Sequence, residues 1–176
     1  MLALLKSFWE IAVFRMAPQD LPCSGFLLRL TVGFYLLVGL GAVLLPLPTG
    51  SAMVIALLDT IVLGVVVAGG LMLRGMPERV TQALTAVYGT LGLIGLLMLP
   101  VTAWLLAAEE GSETVLMAAI AFWALYLWSI AALGHILRHV FSIPLLPGVL
   151  ISYFYFMSWQ ALAPMLMGGL GNVECC

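Results

Sequence analysis

Five long apolar runs, each about the length of a bilayer's hydrocarbon core, leave this chain few ways to fold. They cover about 26–45, 52–73, 83–107, 114–134 and 144–167. A membrane-spanning helix needs roughly 20 such residues, and a helix satisfies its own backbone groups where no water is present. The pattern predicts an all-α polytopic membrane protein with five transmembrane helices. Composition points the same way: 64% of the 176 residues are hydrophobic and 8% charged, with a mean hydropathy of +1.21. A soluble domain carries about 25% charged residues.

Before the first run, Leu2, Leu5, Trp9, Ala12, Val13 and Met16 recur at helical spacing, with Lys6, Ser7 and Glu10 on another face. This predicts an amphipathic helix lying in the membrane interface. Lys6, Glu10 and Arg15 interrupt any signal-peptide core, so insertion through the first span without cleavage is expected. Ala17 to Ser24 contains two prolines and reads as a connector, with Ser24 or Asp20 able to cap the next helix. The expected organisation is an interfacial helix and connector over 1–25, one five-helix domain over 26–167 and a short tail over 168–176.

Charge supplies an orientation. Lys6, Arg15 and Arg29 lie at or before the start of span one, Arg74 and Arg79 join spans two and three, and Arg138 joins spans four and five. All six basic residues therefore fall on one side of a five-span protein. The other side has uncharged turns, the acidic group Glu109, Glu110 and Glu113, and Glu174. The positive-inside rule predicts a cytoplasmic N-terminus and a periplasmic C-terminus in a bacterial inner membrane. Scattered basic residues and a net charge of -2 give no electrostatic footprint for nucleic acid.

Between spans four and five, His135, Arg138 and His139 read as a basic, water-facing turn. The surrounding segment LWSIAALGHILRHVFSIPLLPGVLISYFYF resembles bacterial members of the Yip (Ypt/Rab-interacting protein) family, in which a tryptophan-led fourth span ends in a basic turn before the last span. The resemblance implies a five-span, N-inside membrane adaptor. It does not imply binding to a Rab-type GTPase, because Asp20-Leu21 is followed by Pro22-Cys23-Ser24 where the eukaryotic motif requires Gly-Pro.

Few residues are candidates for chemistry. Asp59 is the one acidic residue well inside a run, roughly 10 Å along its helix, and it should face other helices. It suits a hydrogen-bonded structural contact or a proton pathway. Tyr153, Tyr155, Trp159 and Gln160 lie at mid-depth in span five, where they would line a lipid or quinone pocket or simply pack. Gly89, Gly92 and Gly95 form a small-residue stripe for close helix contact, expected to be used within the chain.

His135 and His139 have the i, i+4 spacing of metal ligands, with Glu78 as a third group on the same side, but no complete zinc motif surrounds them. Cys23, Cys175 and Cys176 have neither zinc nor disulfide spacing. No cofactor is implied, and no nucleophile–base pair or phosphate-binding loop can be assembled. The expected function is a non-catalytic membrane adaptor or accessory protein whose partners are membrane lipids and other integral membrane proteins or itself. The alternative is a small transporter or channel component using Asp59.

Overall fold

A computed structural model describes residues 2–109 and 111–170, with side chains described over 4–109 and 111–162. Six α-helices follow one another: α1 (Leu2–Ala12), α2 (Gly25–Leu44), α3 (Thr49–Leu73), α4 (Val80–Ala107), α5 (Glu113–Phe141) and α6 (Leu145–Leu170). Short 3-10 turns at Pro18–Asp20 and Pro77–Arg79 precede α2 and α4. Helices α2 to α6 are each long and apolar enough to cross a membrane. The chain is an integral membrane protein, all-helical over the described residues.

Local chemistry explains the helix ends. The Ser24 hydroxyl accepts from Leu27 N and caps α2; Ser112 caps α5 in the same way through Val115 N. Asp20, the other candidate cap, instead accepts from Ala17 N and closes the 3-10 turn. Helix α4 continues through Pro100, and α6 runs to Leu170, into the expected tail. Glu110, Glu174, Cys175 and Cys176 lie outside the described residues.

Helix α4 is the centre of the bundle, packing on α1, α2, α3 and α5. Its contact with α2 is the most extensive and is parallel, with successive close approaches at Gly92–Phe34, Gly95–Val38 and Gly41–Leu99. Lipid tails are as apolar as leucine, so burying apolar area adds little between spans. Close backbone approach at small residues gains dispersion contacts instead. A Cβ at Gly92 would lie 2.8 Å from Phe34 Cδ1, and one at Gly95 would lie 3.0 Å from Val38 Cγ1. Gly89 lies beneath the ring of Phe8. The stripe thus faces α1 and α2 of its own chain.

Two expectations are corrected. The segment after Gly134 is not a turn: α5 continues for two more turns, and although Arg138 is exposed and His139 half-buried, His135 is buried. Gly134 serves as a packing point, since a Cβ there would lie 2.8 Å from Val149 Cα of α6. Gly148 answers it, with its missing Cβ 2.6 Å from the Gly134 carbonyl oxygen. The chain actually turns at Ser142, in a left-handed conformation at φ 51, just before Pro144. Proline cannot supply the amide that would prolong the helix.

The second correction concerns α1. It ends at Ala12, short of Met16, and its buried residues are Phe8, Ile11 and Ala12; of the expected apolar face Ala12 is buried, whereas Leu5 and Trp9 are half exposed. Tertiary contacts select this face. Phe8 fills the space above Gly89, Trp9 meets Trp128 edge-on at 5.6 Å, and Trp128 Nε1 donates to the Ala12 carbonyl at 2.8 Å. That carbonyl lies at the end of α1, where no intrahelical donor follows.

Candidate functional site

Three helices bring the polar centre together. Tyr35, Asp59 and Tyr155 are each the eleventh residue of α2, α3 and α6, which places all three far from either helix end. The Tyr35 hydroxyl donates to Asp59 Oδ2 and the Tyr155 hydroxyl to Oδ1, both at 2.6 Å. That length suits hydroxyl donation to a carboxylate. Each carboxyl oxygen therefore has its own donor, which matters because an unsatisfied polar group in hydrocarbon costs several kcal/mol.

A second layer lies beside this one. Tyr88 of α4 packs its ring 5.2 Å from that of Tyr35 and donates to the Thr60 carbonyl at 2.6 Å. In a helix that carbonyl already accepts from the amide four residues on, so Tyr88 uses its second lone pair. Gly64 makes this possible: a Cβ there would be 2.5 Å from the Tyr88 hydroxyl oxygen. The Thr60 hydroxyl bonds back to the Ala56 carbonyl at 2.8 Å and does not reach Asp59. Four of the five spanning helices are thus tied by one carboxylate, three phenols and one backbone oxygen.

The four residues singled out in span five do not share one location. Tyr155 joins Asp59, whereas Tyr153 is half exposed on another side of α6. Residues two apart on an α-helix are rotated by about 200°. Trp159, one turn beyond Tyr155, is half-buried, and Gln160 is exposed. Sequence inspection missed Tyr35 and Tyr88. Their signal was depth: a phenol far from either interface needs a partner for its hydroxyl.

His135 and His139 do share a face, with ring centroids 4.7 Å apart. His135 packs edge-on against Phe14 at 5.2 Å, and its Nε2 is buried without a partner among the described residues. Among the described residues no three His, Cys, Asp or Glu side chains converge to hold a metal ion, so Glu78 does not complete a site.

Comparison with protein-family models, curated proteins and solved structures finds no match.

Proposed function

We propose that this chain is a non-catalytic integral membrane accessory protein, similar to the bacterial Yip-like adaptors, that associates with other membrane proteins through its spans. The observation that carries this reading is the closure of Asp59. Both of its oxygens are occupied by phenols from two neighbouring helices, so the mid-span carboxylate acts as a fastener for α2, α3 and α6. The layout of the Leu127–Phe156 segment adds the family resemblance. The distribution of Lys and Arg supports, as part of this proposal, a cytoplasmic N-terminus and a periplasmic C-terminus in a bacterial inner membrane.

The second reading, a small transporter component, is favoured by the position of the same carboxylate far from both helix ends, where ionisable residues commonly mark ion pathways. One substitution separates the two. As a fastener, Asp59→Asn keeps a side chain that hydrogen-bonds both tyrosines, so the protein should remain folded and recover the same partners from mild detergent. Loss of a pH-dependent proton flux in vesicles reconstituted with the folded variant, with partner recovery unchanged, would favour transport and remove the adaptor reading. A reporter fused after Cys176 should behave as periplasmic; cytoplasmic activity would refute the orientation.

A further inference from the structure

At the basic end of the bundle, away from Asp59, a cavity of about 160 Å³ lies between the Pro18–Asp20 turn, the start of α4 and the end of α5. It is lined by Pro18, Gln19, Arg79, Gln82, Ala83 and Val140. Three lining residues are apolar and buried: Pro18, Ala83 and Val140. Gln19 is exposed and marks the open side.

Its polar groups are held in place by the fold. Gln82 Nε2 donates to the Leu21 carbonyl at 2.9 Å, and Gln19 Nε2 donates to the His139 carbonyl at 3.3 Å. Each amide nitrogen has a second hydrogen to offer. Arg79 is half-buried, and among the described residues its one hydrogen bond runs from Nη1 to the Ser142 hydroxyl at 3.5 Å, the outer limit for such a bond. Four of its five N–H donors are left over. Among the described residues the ion pair is Lys6–Glu10, so no carboxylate neutralises Arg79, and its neighbour Glu78 is exposed.

We propose that this cavity binds one phosphate group, carried by the headgroup of a membrane phospholipid, with Arg79 as the charged ligand and the Gln19 and Gln82 amides as polar contacts. A guanidinium with free paired donors matches phosphate geometry. The first turn of α4 adjoins the same space and adds the positive end of its dipole. Size limits the ligand: ordinary small-molecule pockets occupy about 300–1,000 Å³, so this one holds a headgroup fragment and leaves the acyl chains in the bilayer. Depth fits too, because α4, at 28 residues, is about 42 Å long and its end emerges from a core of roughly 30 Å into the headgroup layer. Arg15, Arg29, Arg74, Arg79 and Arg138 stand at this end against Asp20 and Glu78, which favours an anion.

The test uses the full chain purified in neutral detergent, with thermal stability read during titration by short-chain phosphatidylglycerol, inorganic phosphate or short-chain diacylglycerol. Phosphatidylglycerol should stabilise saturably at one lipid per chain, and diacylglycerol should not. Arg79→Gln should weaken the lipid response by about tenfold or more, whereas Arg138→Gln, at an exposed arginine outside the cavity, should leave it unchanged. If Arg79→Gln does not fold, Gln19→Ala carries the same comparison with an expected loss of about threefold. Equal stabilisation by inorganic phosphate, with the same Arg79 dependence, would overturn the lipid as source and assign the free ion. A response that survives Arg79→Gln, or falls equally in Arg138→Gln, would overturn the site.

Discussion

The Asp59 cluster should behave as one energetic unit, and a mutant cycle measures this directly. Tyr155→Phe removes the hydroxyl that donates to Oδ1 at 2.6 Å and leaves the ring. Hydrogen bonds to charged groups contribute about 1.5–3 kcal/mol in soluble proteins, whereas interhelical bonds in membranes average about 0.6 and reach about 1.7 kcal/mol. A penalty of about 1–2 kcal/mol is therefore expected for Tyr155→Phe, and a similar one for Tyr35→Phe. The double change should cost more than the sum, because Asp59 then keeps neither phenol donor. In an Asp59→Leu background the sign should alter: each hydroxyl has lost its acceptor, so removing it should be neutral or stabilising. The coupling between Asp59 and Tyr155 should be about 1 kcal/mol or more. Equilibrium unfolding in mixed detergent micelles, followed by tryptophan fluorescence, provides the readout. An equal Tyr155→Phe penalty with and without Asp59 would refute the fastener.

Other expectations follow from glycine contacts and the α1 dock. Gly148→Ala would place a Cβ 2.6 Å from the Gly134 carbonyl oxygen, and backbone cannot yield as a side chain can, so a loss of about 2–3 kcal/mol is expected in the same unfolding assay. Gly39→Ala meets nothing within 4 Å and should instead stabilise by roughly 0.5–1 kcal/mol; equal effects at the two positions would contradict the packing described. Gly92→Leu should unfold the monomer in detergent by displacing Phe34 and the adjacent α2 backbone. A folded Gly92→Leu monomer of unchanged thermal stability would show that α2 does not need that approach. Trp128→Phe removes the bond to the Ala12 carbonyl at a cost of about 1 kcal/mol, and limited proteolysis before Val13 should accelerate; an unchanged cleavage rate would mean that α1 is held by other contacts.

By itself the sequence determined the solvent, the number of spans and the polar residue to watch. Those properties are local or additive: twenty apolar residues cross lipid whatever surrounds them, and Asp59 is costly in hydrocarbon in any arrangement. The glycine stripe was legible for a similar reason, since its spacing along one helix marks where another backbone can approach. Tertiary structure decided matters that depend on which helix meets which. Only the bundle brings Tyr35 and Tyr155, 120 residues apart in the chain, to opposite oxygens of one carboxylate. Only the contact of Gly134 with Val149 and Gly148 carries α5 past a glycine that looked like its end. The buried face of α1 was likewise settled by Gly89 and Trp128, because a helix with apolar residues on more than one side has no preferred face until a partner surface selects it.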